Sequence, residues 1–244
     1  MDTRMLRWCA ASGPVCVAVF LLGFFVIAGF VPPPSPRDDM SELRELFYGD
    51  VTTVRIGLIL AVVAAAFIVP WVGAISTEMK RLEGADSPLA FTQLATGALL
   101  FPLFALPPII WQAIAYRTDT SDEILRMMND LAWLMFVAVT WTAVLQALTI
   151  GIVILRNSDQ MSVFPRWVGY LNLWVALMFI PGTLAPLVKS GPLAWNGILT
   201  WWIPVVTFVA WMLIMSALMI RNRPVSPQMP TDRELAPSLA HGQF

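Results

Sequence analysis

The chain has 244 residues, of which 58% are apolar and only 13% are charged, and its formal net charge is −1. A soluble domain carries roughly 25% charged residues, so this composition, with a mean hydropathy of +0.72, excludes an ordinary soluble fold. The small net charge and the absence of a basic patch in the sequence exclude nucleic-acid binding. The apolar runs are continuous over about 20 residues, which predicts membrane-spanning helices rather than the alternating strands of a barrel.

Six apolar runs separated by polar segments predict an all-α, polytopic transmembrane helical bundle with six spans. A single transmembrane domain is expected over residues 1–220, with spans at about 14–31, 51–76, 88–116, 131–155, 167–188 and 198–220. Residues 221–244 are polar and proline-rich, so they are predicted to form a disordered cytoplasmic tail.

The first apolar run fits two kinds of segment. Arg4 and Arg7 precede it and the sequence VIA at 26–28 resembles a signal-peptidase site, so a cleaved secretory signal is one interpretation. The run is long for a signal core and no better cleavage site follows it, which favours an uncleaved helix. Residues 31–50 then begin with consecutive prolines that end the helix, and continue from Asp38 as a predicted short acidic surface helix.

Prolines predict an interruption in the third span. This run begins with Ser87 and Pro88, which are typical of a helix start. It also contains Pro102, Pro107 and Pro108, which remove backbone donors and predict a kink or break in its second half. The freed carbonyls need partners, so this span is expected to lie inside the bundle.

The fourth and fifth runs differ in their expected continuity. The fourth helix is expected to begin in the polar segment after Tyr116 and to continue without interruption to about Leu155. The fifth run contains Pro181-Gly182 and Pro186, so it is expected to bend or to end early.

Lysine and arginine residues are unevenly divided between the two sides of the predicted bundle. Nine lie on the side of the termini and six on the other side, and positive residues gather on the cytoplasmic side, so both termini are expected in the cytoplasm. The nine are Arg4, Arg7, Lys80, Arg81, Arg156, Arg166, Arg221, Arg223 and Arg233, and the six are Arg37, Arg44, Arg55, Arg117, Arg126 and Lys189.

Chemical motifs are missing from the sequence. The single histidine, His241, falls in the predicted tail, which argues against histidine-ligated haem, zinc or copper. The sequence has no P-loop, no dinucleotide-binding or zinc-protease motif and no nucleophile elbow. No catalytic residue, metal ligand or cofactor is therefore predicted, and no charged residue other than Arg55 approaches an apolar run.

Five neutral polar residues form the candidate site. Thr142, Gln146 and Thr149 follow one another at i, i+4 and i+7, which places them on one face of the fourth span. Gln93 lies early in the third span and Asn172 early in the fifth. Two interpretations fit these residues. Either they line a small cavity or a path for a neutral ligand, or they form hydrogen bonds between helices. Hydrogen bonding between helices is favoured, because such bonds are common in bundles.

The eleven tryptophans also allow two interpretations, a structural one and a ligand-binding one. Most fall near the ends of predicted spans, as an aromatic belt requires. Trp133, Trp141, Trp174 and Trp211 lie deeper or on the projecting part of the fourth helix, where they stack on a flat ligand or pack in the core, and packing is favoured.

Three segments carry a family resemblance. They are ISTEMKRLEG at Ile75–Gly84, NDLAW at Asn129–Trp133 and FPRWVGYLN at Phe164–Asn172. Together they resemble an uncharacterised family of bacterial, especially actinobacterial, six-helix membrane proteins, over residues 50–220. The resemblance implies a multi-pass protein of the bacterial inner membrane and transfers no catalytic residue.

Three hypotheses for the function follow. The leading one is a non-enzymatic membrane protein that binds either a membrane partner or a lipid-like apolar molecule. The alternative is an uncoupled transporter or channel for a small neutral solute, built on the face of Thr142, Gln146 and Thr149. An enzyme acting on a lipid is the least favoured. Expected partners are the bilayer itself and either another membrane protein or a second copy of the chain.

Overall fold

The computed structural model describes residues 3–84, 86–157 and 162–221, and in these ranges all regular structure is helical. The predicted tail beyond Arg221 lies outside the described residues. The α-helices are α1 (Thr3–Phe20), α2 (Met40–Tyr48), α3 (Val51–Ala66), α4 (Ile68–Glu83), α5 (Pro88–Ala98), α6 (Leu100–Tyr116), α7 (Asp122–Ala138), α8 (Trp141–Arg156), α9 (Arg166–Phe179) and α10 (Ile203–Arg221). Two π-helices cover Leu21–Ile27 and Ile198–Trp202, and a 3-10 helix covers Ile180–Leu187.

Six helical spans are long and apolar enough to cross a membrane, which confirms the predicted all-α bundle of six spans. The first begins well before the predicted start at residue 14, and Pro14 lies in the interior of α1. In chain order, spans 1 to 6 are Arg4–Ile27, Val51–Glu83, Pro88–Tyr116, Asp122–Arg156, Arg166–Leu187 and Ile198–Arg221.

The spans form a ring in chain order. Each span contacts the span before it and the span after it, and span 6 closes the ring through the contact of α10 with α1. Consecutive spans alternate in direction, so each contributes one part to the end of the bundle that carries α2 and one part to the end that carries Thr3 and Arg221. We call these the α2 half and the terminal half. The terminal half is built from α1, α4, α5, α8, α9 and α10, and the α2 half from the remaining helices.

Each half has its own apolar core. The core of the terminal half contains Trp71 and Trp211, and the core of the α2 half contains Trp111, Trp133 and Trp201. The side chain of Phe104 packs against both cores.

Every span changes its helical geometry where the two halves meet. In order, the changes fall after Phe20, at Phe67, at Leu99, at Val139 and Thr140, after Phe179 and after Trp202. Prolines explain three of them, because a proline lacks an N–H and its ring clashes with the carbonyl four residues earlier. The carbonyls opposed in this way belong to Ala66 for Pro70, Ala98 for Pro102 and Leu177 for Pro181. Accordingly, α3 ends at Ala66 and α5 at Ala98, and α9 gives way to the 3-10 helix soon after Leu177.

The interruption of span 3 differs from the prediction. It lies at Leu99, in the first half of the span, where Pro102 opposes the carbonyl of Ala98. Pro107 and Pro108 lie within α6, which continues to Tyr116.

The prediction of an uninterrupted fourth helix was wrong, because α7 ends at Ala138 and α8 begins at Trp141. No proline lies there, and the break lies where span 4 packs closely against span 5. A Cβ atom added to Gly182 would lie 2.5 Å from the carbonyl oxygen of Val137. The backbones of span 4 and span 5 therefore touch next to Val139, which is not in the helical conformation.

Polar contacts at the α2 end join the connecting segments. Arg44 of α2 binds the carboxylate of Asp122 at 2.5 Å, and the hydroxyl of Tyr48 donates to the carbonyl of Arg117. The indole N–H of Trp195 donates to the carbonyl of Pro34. The predicted acidic surface helix is present as α2, and it lies across the loops between the spans.

Large apolar side chains also cover the outside of the bundle. Ile59, Val63, Ile109, Leu145 and Val206 are all at least 46% exposed, and they come from spans 2, 3, 4 and 6. A continuous apolar exterior around a bundle is typical of a protein whose solvent is lipid. The chain is therefore an integral, multi-pass membrane protein.

Candidate functional site

An apolar cavity of about 110 Å³ lies where the two cores meet. Spans 1, 3, 4, 5 and 6 line it, with residues next to the positions at which their helical geometry changes, such as Phe20, Leu100, Thr140, Phe179 and Trp201. Irregular backbone at membrane depth is tolerated only where it is buried in protein or lines a cavity. In these five spans the interruptions therefore lie at the cavity, whereas span 2 is interrupted at Phe67 and is not among the spans that line it.

Aromatic side chains form much of the cavity wall. The ring of Phe104 stacks on that of Phe208 at 4.9 Å and meets the edges of Phe20 and Phe136 at 5.3 Å each. Phe179 closes the wall from span 5. Rings in these geometries attract one another and hold their orientations, so they present a fixed apolar surface.

The lining contains little polar surface. Its two hydroxyl groups are already hydrogen-bonded: Thr140 pairs with Thr183 at 3.3 Å, and Thr200 donates to the carbonyl of Ala194. All of the lining side chains are uncharged. A cavity of this kind favours an uncharged, largely apolar molecule over an ion or a sugar.

The structure brings together part of the predicted polar face, at a different place from the cavity. Gln93 and Gln146 are both fully buried where α5 packs against α8. The Nε2 atom of Gln146 lies against Gly97, one helical turn after Gln93. Within the described residues, neither amide has a hydrogen-bond partner for its oxygen or its nitrogen, and the hydroxyl of Thr142, one turn before Gln146, also has none.

The other two predicted residues are hydrogen-bonded within the bundle. The hydroxyl of Thr149 donates to the carbonyls of Leu145 and Gln146 on its own helix. Asn172 donates to the carbonyl of Val168 and accepts from the indole of Trp211 at 2.9 Å.

None of the five predicted residues lines the cavity. Its lining residues come from five different spans, and a phenylalanine in each of five apolar runs does not stand out in a chain that is 58% apolar. The usable signal was the placement of prolines near the middle of spans 2, 3 and 5, which marks the depth of the interruptions but not the side chains that meet there.

Three buried tryptophans of the α2 half differ from those of the terminal half in their hydrogen bonds, whereas Trp195, also in the α2-half core, donates to Pro34. In the terminal half, Trp71 donates to the hydroxyl of Ser216 and Trp211 to the side chain of Asn172, both at 2.9 Å. In the α2 half, the indole nitrogens of Trp111, Trp133 and Trp201 are buried and have no acceptor in the part of the chain that the structure describes. Of these three, Trp201 lines the cavity.

One buried carboxylate was missed by the sequence analysis. Glu78 is 4% exposed near the terminal end of span 2, and Arg81 binds it at 2.6 Å on the same helix. The predicted span stopped at Ser76, whereas α4 continues to Glu83 and carries this pair into the bundle. Arg81 makes the pair electrostatically balanced, so it fits a structural role at the membrane boundary.

Neither a metal-binding group, within the described residues, nor a match to a known protein supplies a function. Among residues 3–84, 86–157 and 162–221, no group of three His, Cys, Asp or Glu side chains is placed to hold a metal ion. Comparison of the chain with protein-family models, with curated proteins and with solved structures finds no match. The resemblance to a bacterial six-helix family therefore stays a prediction.

Proposed function

We propose that this protein is a non-enzymatic membrane protein that binds a lipid-like apolar molecule in the cavity between its two cores. One observation carries the proposal: five of the six spans change their helical geometry around an apolar, aromatic-walled space. Each of these five spans brings residues next to its interruption to the cavity wall. A binding site for a ligand at this depth would explain why the interruptions of these spans meet there.

The size and chemistry of the cavity fit part of such a molecule. An apolar cavity of about 150 Å³ stays dry and takes up one benzene ring, so about 110 Å³ suits a short length of hydrocarbon chain or a small ring. Lipid tails surround the bundle at high concentration, so even weak binding fills the cavity. Occupancy replaces the contacts that the wall of Phe20, Phe104 and Phe208 otherwise lacks on one side.

The proposal includes an orientation and a location. The terminal half carries Lys80, Arg81, Arg156 and Arg166, which favours the cytoplasmic side of a bacterial inner membrane for both termini, with α2 outside. A cysteine-labelling scan with a membrane-impermeant reagent tests this orientation. Labelling from outside at a cysteine placed after Arg221 contradicts it.

Photolabelling tests the ligand site. A diazirine-bearing alkane is irradiated with the full-length protein in lipid nanodiscs, and the labelled peptides are mapped with and without excess unlabelled alkane. We expect competed labelling at cavity residues such as Phe104 and Phe208, in addition to label on the lipid-facing surface that excess alkane does not remove. Labelling of the outer surface alone contradicts the proposal.

Two neighbouring valines provide a matched control. Val205 lines the cavity, whereas Val206 is 65% exposed to lipid on the same helix. Val205→Trp fills the space and should abolish the competed labelling. Val206→Trp adds the same side chain outside the cavity and should leave it unchanged.

A second candidate function is the passage of a small neutral solute. It is favoured by the buried amides of Gln93 and Gln146, whose four polar atoms have no partner within the described residues. Solute or water on a path between α5 and α8 would satisfy them. Flux of a small neutral solute such as glycerol into protein-containing liposomes tests this candidate, and Gln146→Leu should abolish the flux. Liposomes with the wild-type protein that are no more permeable than empty ones exclude it.

A further inference from the structure

Among the described residues, the ring of six spans is closely packed at every junction except one. In the terminal half, each helix packs against the helices of both neighbouring spans. In the α2 half, the junction between span 6 and span 1 is the exception. The π-helix Leu21–Ile27 packs there against α3, and the π-helix Ile198–Trp202 packs against the 3-10 helix Ile180–Leu187, without comparable packing between the two π-helices.

Contacts border this junction on two sides. Toward the termini, α1 and α10 pack against each other. Toward the α2 end, the indole N–H of Trp195, in the segment before span 6, donates to the carbonyl of Pro34, in the segment after span 1. Between these contacts, the buried rings of Phe24 and Trp201 meet with their centroids 6.3 Å apart. Spans 1 and 6 therefore leave a window between their backbones, and mainly side chains span it.

The side chains at this window also line the cavity. They are Leu21 and Phe25 of span 1 and Val205 and Val209 of span 6, each pair about one turn apart. All four are only partly buried. Neighbouring residues in the sequence face the bilayer, because Leu22 is 49% exposed, Val26 72% and Val206 65%. These observations place the window between the cavity and the surrounding lipid.

The chemistry of the window limits what can pass through it. All four window side chains are apolar, so an ion or a lipid headgroup would lose its hydration there without compensation. A hydrocarbon chain has no such hydration to lose. The window also lies in the α2 half, so it faces the acyl chains of the leaflet on the α2 side.

Resting on the function proposed above, we propose that the cavity takes the acyl chain of a bilayer phospholipid, which enters sideways between spans 1 and 6 from the leaflet on the α2 side. The headgroup stays at the surface of that leaflet, and the end of one chain lies among Phe104, Phe179 and Phe208. A cavity of about 110 Å³ holds only a short length of chain, so the next part of the chain lies in the window.

Photoactivatable phosphatidylcholine tests this route with the full-length protein. Phosphatidylcholine nanodiscs contain a small fraction of lipid with a diazirine either at the end or in the middle of one acyl chain. We expect the end-of-chain probe to label Phe104 and Phe208 and the mid-chain probe to label Leu21 and Val205, and we expect excess unlabelled decane to remove both labels. Mid-chain labelling that decane removes at a different junction between spans contradicts the proposed window.

Two neighbouring leucines provide a matched pair of variants. Leu21 lines the cavity at the window, whereas Leu22 faces lipid and does not line the cavity. Leu21→Trp narrows the window, so end-of-chain labelling of Phe104 and Phe208 should fall about 10-fold, because the chain has to displace the indole from a packed junction. Leu22→Trp should leave this labelling unchanged. Equal phospholipid labelling in the wild type and in Leu21→Trp contradicts the route.

A free alkane separates a blocked window from a filled cavity. The phospholipid chain occupies the window for as long as it is bound, because its headgroup stays outside. The diazirine-bearing alkane passes the window only on entry, so its labelling of Phe104 should fall less in Leu21→Trp than the phospholipid labelling does. An equal loss of both labels would show that the indole fills the cavity, and would remove this variant's support for the window.

The outcomes distinguish this inference from the proposed function. If the alkane labels Phe104 and Phe208 but the phospholipid probes do not, the phospholipid assignment is wrong although the cavity binds apolar molecules. If no probe gives a cavity label that excess decane removes, both the inference and the proposed function are wrong. The wild-type comparison decides between these outcomes even if Leu21→Trp fails to fold.

Discussion

The two halves of this bundle bury similar aromatic residues, but three buried tryptophans of the α2 half lack the hydrogen-bond acceptors that the buried tryptophans of the terminal half have. In the terminal half, Trp71 and Trp211 meet edge to face at 5.1 Å, and each has a hydrogen-bond acceptor on another helix. In the α2 half, Trp111, Trp133 and Trp201 form a larger aromatic cluster without such acceptors in the described part of the chain.

The two halves therefore differ in how their buried tryptophans are hydrogen-bonded. In the terminal half, hydrogen bonds of Trp71 and Trp211 join α4, α9 and α10, although Gln93 and Gln146 between α5 and α8 of the same half have no partner among the described residues. In the α2 half, three buried indole N–H groups have no acceptor among the described residues, which costs that half stability. Sites of function commonly show such local violations of packing rules.

The largest expected effect tests whether the α2 half is as tightly packed as the comparison requires. A Cβ atom added to Gly57 would lie 2.5 Å from the carbonyl oxygen of Gly23, so Gly57→Ala should push span 2 away from span 1. We expect the free energy of unfolding, measured by SDS titration in mixed micelles, to fall by about 1 to 3 kcal/mol.

Gly73→Ala, in the other half of the same span, is the matched control. A Cβ atom added at Gly73 meets nothing within 4 Å, so the variant should be unchanged or more stable by up to about 1 kcal/mol. Equal effects of the two substitutions would show that the α2 half is loosely packed, and its unpaired donors would then need no functional explanation.

An asparagine-to-leucine substitution in each half compares the stability contributed by their buried polar side chains. Asn172→Leu removes the acceptor of Trp211 and should lower the free energy of unfolding by about 1 to 2 kcal/mol. Asn129→Leu, in α7, removes a side chain whose buried Oδ1 has no donor among the described residues, so stability should be unchanged or higher. SDS titration measures both variants. A larger loss for Asn129→Leu than for Asn172→Leu would reverse the comparison.

A smaller effect is expected at Ser216. Ser216→Ala removes one hydroxyl and leaves the indole of Trp71 unpaired, which should destabilise the protein by about 0.6 kcal/mol, the average for hydrogen bonds between membrane helices. The indole proton of Trp71 should also move upfield in the ¹⁵N spectrum. An unchanged Trp71 signal would show that this bond does not form in the membrane.

The exposed contact between α2 and α7 should contribute a similar or smaller amount. Arg44 and Asp122 are 39% and 57% exposed, so Asp122→Asn should lower the free energy of unfolding by about 0.2 to 1 kcal/mol at low salt and by less at high salt. Glu123→Gln removes the same charge at the next position and serves as the control. Equal losses from the two variants would mean that net charge, and not this ion pair, matters.

The smallest effect concerns the start of α3. The hydroxyl and the backbone N–H of Thr53 donate to Asp50 and hold the pKa of its carboxyl below the ordinary 3.8. The carboxylate therefore stabilises the folded state above that pH, and the contribution is lost as the pH falls from about 3.8 through the lowered pKa. In SDS titrations at several pH values, Asp50→Asn should show a weaker loss of stability with acid than the wild type. Identical pH profiles would show that this cap is not formed.

Sequence patterns predicted the fold better than the site. Long apolar runs and their polar separators were sufficient for six spans, because the bilayer fixes both length and composition. The break at Val139 was not predictable, because no proline or glycine lies at it in span 4, and the close contact with Gly182 belongs to another span. Similarly, the candidate site was predicted from polar residues such as Gln146 and Asn172. The cavity is instead lined by phenylalanines from different spans, and which of them come together depends on how the spans pack. The unpaired state of Trp201 depends on which oxygens surround it, which no single segment determines.

Native mass spectrometry of the protein, gently extracted with its surrounding lipids, tests the central claim most directly. We expect one stoichiometric apolar molecule on the wild-type protein and on Val206→Trp, and its loss from Val205→Trp, in which the cavity is filled. A bare protein in all three samples, or the same bound mass on all three, would contradict the assignment of the cavity as a binding site.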